Sequence, residues 1–280
     1  MNKFIYKIYE VLPKNLINEI GKSNILKPLR DKALRENGNF KSIEVKINRD
    51  YSEYHVEFSF NASFKIAEKA KNKGIENTLL RNSFKLLSAS GIRSDAVVFD
   101  VGANFGYLSL VWADSVCRNN GNIYSFEPNP SVFRCFEKSV LENNLSGIVK
   151  YQNKAVGRKS GKVNFYFSET TSNMNNEFDK SENSVIGLVS IDDFIKQNEI
   201  SRCDMIKIDV DGIEFDILNG AAETLDKFKP LLIIETNNDR KIMEYISKKN
   251  YKILDMKLQP VSAGGEIPAN IFCLNNDIKF

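Results

Sequence analysis

The sequence predicts an α/β fold built on a mostly parallel sheet, with a small α+β extension at its N-terminus. From Ala96 onward, apolar runs of strand length alternate with helical patterns. Before that point lie a segment with apolar residues at helical spacing and a segment of strict alternation. Continuous apolar strands separated by helices are typical of a parallel sheet covered on both faces. We therefore expect an extension over residues 1–75 and a main domain over residues 76–280.

The extension contains both helical and strand patterns. "KFIYKIYEVL" and "NLINEI" predict short helices within residues 1–37, separated by Pro13. Their apolar face is expected to pack on the core; contact with a second copy of the chain or with a membrane surface are the alternatives. Residues 42–60 alternate and predict a two-stranded hairpin that turns near Asn48–Asp50. A helical pattern then runs over residues 64–89.

The main domain shows the alternation of strands and helices that is typical of a parallel sheet. Its apolar runs predict strands at 96–101, 122–126, 148–151, 203–208 and 230–234, and its helical patterns predict helices at 105–117, 130–143, 213–226 and 239–249. "YKILDMKL" and "NIFCL" predict a final antiparallel pair. After the predicted strand "GKVNFYFS", the polar stretch 169–184 has no periodicity, and a functional lid and a disordered loop are equally good interpretations.

Composition limits the classes of partner. The 280 residues have a net charge of +3 and no window dense in lysine and arginine, so a nucleic acid is not the expected partner. Charged residues interrupt the N-terminal apolar residues, and no run approaches the roughly 20 apolar residues of a membrane span. We expect a cytoplasmic protein. The widely spaced cysteines predict reduced core residues: Cys117, Cys135, Cys203 and Cys273.

The first strand of the main domain ends in the turn "DVGANFG". Gly102 and Gly106 permit a sharp turn and close approach of a ligand, and the following helix starts with unpaired N–H groups. The turn lacks the G-x-G-x-x-G pattern that holds a dinucleotide pyrophosphate. Asp100 adds a negative charge, which would repel a phosphate and favours a cation.

An acid also closes the next strand. Glu127 lies in "IYSFEPNP", 21 residues beyond Gly106, where an acid is the usual partner of ribose hydroxyls. A ligand with a ribose, a positive group and no phosphate matches S-adenosylmethionine. The alternative is an ordinary strand–turn–helix with a stray acid, and the position of Glu127 makes that interpretation the weaker one.

Five stretches together resemble the FkbM-type methyltransferases: "VVFDVGANFGYLSL", "IYSFEPNPSVFRCFEKSVLENN", "NKAVG", "SIDDFI" and "CDMIKIDVDGIEFDILNGA…KPLLIIE". The resemblance runs from about Gly74 to Glu235. It implies the Rossmann-like fold of class I methyltransferases with a seven-stranded sheet, and S-adenosylmethionine as the cofactor. It further implies methylation of a hydroxyl group, with a small-molecule or glycan acceptor such as a sugar or a secondary metabolite.

The resemblance also assigns residues to the cofactor. The first turn would hold its methionine and ribose part, the end of the second strand its ribose hydroxyls, and the residues after the third strand its adenine. Asp209 would lie near the sulfonium and the acceptor. The family commonly has Glu at Asp211 and Ala at Ile213, so the acceptor pocket is expected to differ in shape. The implied cofactor-binding residues are Asp100, Gly102, Ala103, Asn104, Gly106, Glu127, Pro128, Asn129, Asn153, Ala155 and Asp209.

An alcohol acceptor needs a base or a metal ion to take its proton. The one histidine, His55, shares a strand face with Glu53 and Glu57, which indicates a solvated face. The acids at the fourth and fifth strand ends are better candidates, and we take Asp209, Asp211 and Glu235 as the possible catalytic residues. Two such carboxylates could share a proton, so that one acts as base, or could bind Mg²⁺.

Two other acidic positions have structural explanations. Glu214 is expected to charge a helix N-terminus, and Asp192–Asp193 to cap one.

Two alternative functions stay open. One alternative function is nucleic-acid methylation on the same fold, although "DVDG" ends the fourth strand where base amino-group methylases have N-P-P-aromatic. The other is a non-catalytic binding protein, against which the intact strand-end acids argue. A homodimer is compatible with the N-terminal apolar face.

Overall fold

The computed structural model describes residues 35–36, 39–167, 172–173, 183–262 and 264–278. Its first elements are the short pair β1 (Arg35–Glu36) and β2 (Asn39–Phe40), followed by the antiparallel hairpin β3 (Ser42–Tyr51) and β4 (Tyr54–Ser63). Two helices follow, α1 (Phe64–Lys73) and α2 (Asn77–Ala89). The helices predicted within residues 1–37 lie outside the described residues, except that residues 35–36 form β1 instead.

The hairpin is confirmed, but its predicted turn is wrong. Tyr51 pairs with Tyr54, so the chain turns at Ser52–Glu53 and not at Asn48–Asp50. The three polar residues 48–50 lie inside β3. Asn48 and Asp50 are on its solvated face, whereas Arg49 is half-buried on the opposite face and donates to the backbone oxygens of Ala70 and Lys71. His55 lies on the solvated face, exposed, with its ring 2.7 Å from Asp50. The single helix predicted over 64–89 is interrupted between α1 and α2.

The main domain begins with alternating strands and helices. These are β5 (Val97–Val101), α3 (Tyr107–Ala113), β6 (Asn122–Phe126), α4 (Pro130–Glu142) and β7 (Val149–Gln152). A small second sheet follows, formed by β8 (Ala155–Val156), β9 (Gly161–Phe167), β10 (Ser172–Asn173) and β11 (Asn183–Val189). Of the polar stretch 169–184, only 172–173 and 183–184 are described.

The chain then completes the main sheet. The remaining elements are α5 (Ile191–Gln197), β12 (Met205–Ile208), α6 (Glu214–Asn219), α7 (Ala222–Phe228), β13 (Leu231–Glu235), α8 (Arg240–Ser247), β14 (Tyr251–Leu254) and β15 (Asn270–Asn275). The predicted helix over 213–226 is thus two helices. Over the described residues, no helix has the length and apolar character to cross a membrane.

The seven strands of the main sheet lie in the order β14–β15–β13–β12–β5–β6–β7. The first five along the chain run parallel, and β15 pairs antiparallel with both β13 and β14. This mostly parallel seven-stranded sheet is the predicted Rossmann-like class I methyltransferase fold. The strand order reverses between β5 and β12, because β6 lies on one side of β5 and the later strands lie on the other. Ligands of such sheets bind beside this reversal, at the carboxyl ends of the strands.

The hairpin shares the core of the main domain. Val45 and Phe60 belong to the same buried apolar cluster as Trp112 and Phe136 of the helices α3 and α4. The rings of Phe60 and Tyr107 meet edge to face, with centroids 5.3 Å apart. One apolar cluster therefore spans the predicted boundary at residues 75–76, and the division into two domains stays a prediction. All four cysteines are buried and unpaired, as expected for reduced core residues.

Helix α5 corrects the expectation for Asp192–Asp193. Its N-cap is Ser190, whose hydroxyl accepts from the Asp193 backbone N–H at 3.2 Å. The Asp192 carboxylate instead accepts from the backbone N–H groups of Glu223 and Thr224, in the first turn of α7. The pair therefore lies inside the first turn of α5, and Asp192 caps a neighbouring helix. Local sequence could not show that α7 begins beside α5.

Candidate functional site

The turn after β5 crosses the turn after β12 at very short range. Gly102 has a φ of +77°, and a Cβ placed on it would lie 2.0 Å from the backbone oxygen of Asp209. Gly106 has a φ of +80°, and its Cβ would lie 1.9 Å from the ring of Phe136. Both glycines are therefore required by contacts within the protein. The predicted approach of a ligand to the same turn stays a prediction.

Glu127 supports this turn from the end of β6. Its Oε2 accepts from the Asn104 backbone N–H at 2.9 Å, and its Oε1 accepts from the Asn129 backbone N–H at 2.8 Å. Burial raises the pKa of Glu127 to about 7, although the two backbone hydrogen bonds act in the opposite direction. Each carboxylate oxygen can accept more than one hydrogen bond. Glu127 can therefore accept further donors while it holds the turn.

The other residues predicted beside Glu127 are divided between two places. Asn153 donates from its side chain to the backbone oxygens of Glu127 and Pro128, at 2.8 and 3.0 Å. The Asn129 side chain caps α4 by accepting from Ser131 and Val132. Ala155 is buried in the small sheet, in an apolar cluster with Ile186. The structure thus gathers Pro128, Asn129 and Asn153 around Glu127 and places Ala155 in the core.

A buried lysine lies beneath the turn, and the sequence interpretation missed it. The Lys207 side chain in β12 is 4% exposed; its Nζ lies 3.3 Å from Asp100 and 3.4 Å from Asp209, and donates to the Gly102 oxygen at 2.7 Å. Burial lowers the pKa of Lys207, but the Asp209 and Asp100 carboxylates raise it by more, so it lies above the usual lysine value. The sequence does contain a signal for it: a lysine inside the apolar strand "MIKI" predicts a buried acidic partner, because buried charges require partners.

Asp100 is fully buried below the turn. Ser109 donates to its Oδ2 at 2.6 Å, and Lys207 is its ionic partner. The cation that the sequence interpretation sought for Asp100 is therefore supplied within the protein. A direct contact between Asp100 and a cofactor stays a prediction.

The acids at the ends of β12 and β13, Asp209 and Glu235, shift each other's pKa. Lys207 holds the pKa of Asp209 below its usual range, and a hydrogen bond from Glu235 acts in the same direction. Burial, together with the bond to Asp209 and its charge, raises the pKa of Glu235 to about 7. Of the two acids, Glu235 therefore holds a proton the more tightly. A pKa near neutral pH is the property expected of a general base.

Two further acids lie close to this pair. Burial and the Asp209 charge raise the pKa of Asp211, whose side chain is exposed. Glu214 is buried in the first turn of α6 and accepts from the Gly212 backbone N–H at 3.2 Å and from the Asn237 side chain at 2.6 Å. Glu214 therefore has the predicted role at a helix N-terminus. For Asp211, the catalytic role predicted from the sequence stays a prediction.

A cavity of about 220 Å³ opens at these strand ends. Of the predicted cofactor residues, Gly102, Ala103, Asn104 and Asp209 line it, together with Lys207. Its other walls come from the hairpin, from α1 with the turn before α2, and from the start of α3: Phe60, Ile66, Lys69, Ile75, Glu76, Phe105, Tyr107 and Leu108. The sequence interpretation gave none of these eight residues a functional role.

The described residues do not support the predicted Mg²⁺ site. Over these parts of the chain, no three side chains of histidine, cysteine, aspartate or glutamate converge in a way that could hold a metal ion. Lys207 explains this at the strand ends, because its ammonium group already lies beside Asp100 and Asp209.

Comparison with known proteins finds relatives of the main domain. A family model described as the methyltransferase FkbM domain matches residues 100–253, more than half of the chain. A hexuronic acid methyltransferase, AglP, from Haloferax volcanii is 26% identical over 140 residues, which cover 50% of this chain and 55% of that protein. Methyltransferase 1 from Beauveria bassiana is 24% identical over 148 residues, covering 45% of this chain and 58% of that protein. The chain spans about half the length of the curated relatives it matches.

Solved structures also align with the chain. A methyltransferase FkbM from Methylobacillus flagellatus KT aligns at 18% identity and a TM-score of 0.45, covering 64% of this chain and 43% of that one. Fibrillarin from Aeropyrum pernix, solved with natively bound S-adenosyl-L-methionine, aligns at 10% identity and a TM-score of 0.41, covering 83% of this chain and 99% of that one.

Proposed function

The chain belongs to the FkbM methyltransferase family, and from this premise we propose that it transfers the methyl group of S-adenosylmethionine to a hydroxyl group. The acceptor that we propose is a sugar, a glycan or a secondary metabolite. The hexuronic acid methyltransferase among its relatives supports a sugar. The observation that carries the proposal is the arrangement of the turn at Gly102–Asn104 between two carboxylates, Glu127 and Asp209.

The residues at this turn fit S-adenosylmethionine in charge and in hydrogen bonding. Asp100, Lys207 and Asp209 together have a net charge of −1, and the Asp209 side chain is 46% exposed, at the cavity. A sulfonium cation would balance that charge. At the other side of the turn, Glu127 has acceptor capacity left for the two hydroxyls of a ribose. The backbone of Gly102–Asn104 lies between these two acids and would run beside a bound cofactor.

When bound, S-adenosylmethionine supplies an electrophilic methyl group whose bond to sulfur breaks as the acceptor oxygen attacks, leaving the neutral thioether. The chain must position the acceptor hydroxyl and take its proton. We assign the proton to the Asp209–Glu235 pair, because Asp209 lines the cavity and Glu235 has a pKa of about 7. Asp211 is the alternative base. This role needs no metal ion.

The base assignment predicts the pH dependence of the reaction. We expect the rate at saturating S-adenosylmethionine to rise with pH through an apparent pKa near the value of about 7 given for Glu235. Below that pH the pair already holds a proton and cannot accept another, so the sign is a gain of activity with rising pH. The pKa of Glu127 is also about 7, so its protonation could change the binding of S-adenosylmethionine over the same pH range. At saturating S-adenosylmethionine, such a change in binding no longer affects the rate.

Initial rates across a pH series would check this prediction in the protein and in two variants. Glu235→Gln should remove the inflection, whereas Glu244→Gln, which changes an exposed glutamate of α8, should keep it. A profile that keeps its inflection in Glu235→Gln would show that a different group titrates.

The proposed function itself is tested by methyl transfer. The purified protein is incubated with methyl-labelled S-adenosylmethionine and a cell extract, and labelled products are identified by mass spectrometry. Labelled sugars, glycans or metabolites joined through oxygen are the expected result. Label in nucleic acid would favour the alternative function, and tight cofactor binding without any labelled product would favour a non-catalytic protein. A cytoplasmic location and a homodimer stay predictions.

A further inference from the structure

One wall of the cavity comes from a part of the chain outside the family-matched segment 100–253. It is formed by the end of β4, by α1 and by the turn before α2. Three of its residues are apolar and two are charged: Phe60, Ile66, Ile75, Lys69 and Glu76. The charged pair has no role in the function proposed above.

Among the residues that the structure describes, no side chain balances the charge of Lys69 or Glu76. Across residues 39–167 and the other described ranges, neither side chain forms an ion pair or a hydrogen bond, and both are exposed. The other two charged residues of the cavity form an ion pair with each other, because the Lys207 Nζ lies 3.4 Å from the Asp209 carboxylate. As far as the described residues show, the cavity thus presents one cation and one anion without a charged partner, each from a different element of the same wall.

The backbone at Glu76 adds a second observation. Its φ is +49°, in the left-handed region, which residues other than glycine and asparagine adopt rarely. The Glu76 backbone oxygen accepts from Leu80, so this conformation starts α2 directly beside the cavity. Glu76 therefore comes immediately before α2, among the residues that line the cavity.

We propose that Lys69 and Glu76 bind the amino-acid end of S-adenosylmethionine, Lys69 pairing with its α-carboxylate and Glu76 with its α-ammonium group. This assignment rests on the proposed function. The amino-acid end is a zwitterion, so it needs one cation and one anion in the same cavity. Glu127 and Asp209 are assigned to the ribose and the sulfonium, which leaves Lys69 and Glu76 for this end. Ile66 and Ile75 line the same wall of the cavity.

Three ligands separate the two contacts by calorimetry. S-adenosylhomocysteine has both charged groups, its decarboxylated analogue keeps only the amine, and 5′-methylthioadenosine has neither. Lys69→Met should raise the Kd of S-adenosylhomocysteine about tenfold, as expected for a lost charged hydrogen bond. It should leave the decarboxylated analogue unchanged. Glu76→Gln should weaken both of these ligands by a similar factor, and neither variant should change the Kd of 5′-methylthioadenosine.

Lys65→Met is the matched control, because Lys65 is an exposed lysine of α1 that does not line the cavity. It should bind all three ligands like the unchanged protein. The proposal is overturned if Lys69→Met and Glu76→Gln keep full affinity for S-adenosylhomocysteine, or if they weaken all three ligands equally. It is also overturned if they change only the KM of the acceptor. Failure of the unchanged protein to bind any of the three ligands would instead reject the proposed function.

Discussion

Replacing Lys207 with methionine is expected to lower the free energy of unfolding by about 3–5 kcal/mol, the range for removing one partner of a buried ion pair. Lys207 is 4% exposed and Asp100 is fully buried, so the variant would leave the Asp100 carboxylate in the core without a counter-charge. The bond from Lys207 to the Gly102 oxygen, 2.7 Å long, would also be lost. Denaturant unfolding at neutral pH measures the change.

A double variant identifies the cause of this loss. Adding Asp100→Asn to Lys207→Met removes the unbalanced charge, so the double variant should be more stable than Lys207→Met alone. A loss below about 1 kcal/mol, or one that Asp100→Asn does not reduce, would show that the unbalanced Asp100 charge is not the cause.

Replacing Asp209 with asparagine is expected to lower the rate of methyl transfer about 10³-fold, within the range for positioned acid–base groups. Asp209 lines the cavity, and in the proposed mechanism it is the group through which Glu235 would take the proton of the acceptor. The variant keeps the shape of the side chain and leaves Lys207 paired with Asp100, so stability should change little. Single-turnover rates with the acceptor identified by labelling provide the measurement.

Cofactor binding gives a second result for the same variant. Asparagine removes the charge that would balance the sulfonium, so the affinity for S-adenosylmethionine should fall by more than the affinity for the uncharged thioether S-adenosylhomocysteine. Asp216→Asn, an exposed position on α6, is the control and should alter neither rate nor affinity. Equal losses for the two ligands, or a rate within threefold of the unchanged protein, would exclude Asp209 from the role proposed here.

Much of the fold follows from sequence because its signals are local. The apolar strands β5, β6, β12 and β13 are long enough to be recognised, and their parallel order follows from the intervening helices. The errors also have local causes. Polar residues on the solvated face of β3 resemble a turn, and the segment 64–89 keeps a helical pattern through the break between α1 and α2.

Only some residues of the candidate site could be predicted from local sequence. Asn104, Glu127 and Asp209 follow strands, so the edge that they share could be predicted from the chain. Lys207 was missed because it lies within a strand, and its pairing with Asp100 depends on β12 lying beside β5. Lys69 and Glu76 were missed because their place in the cavity depends on how α1 and α2 pack against a distant turn. Contacts of that kind leave no pattern in the local sequence.

We propose that the strand ends of β5 and β6 hold a nucleoside with its ribose on Glu127. A crystal structure with S-adenosylhomocysteine bound is the decisive measurement. We expect the ribose hydroxyls to donate to Glu127 while it still accepts from the backbone of Asn104 and Asn129, and the thioether to lie on the side of Asp209. A nucleoside bound away from these strand ends, or a Glu127 that contacts only Asn104 and Asn129, would contradict this proposal.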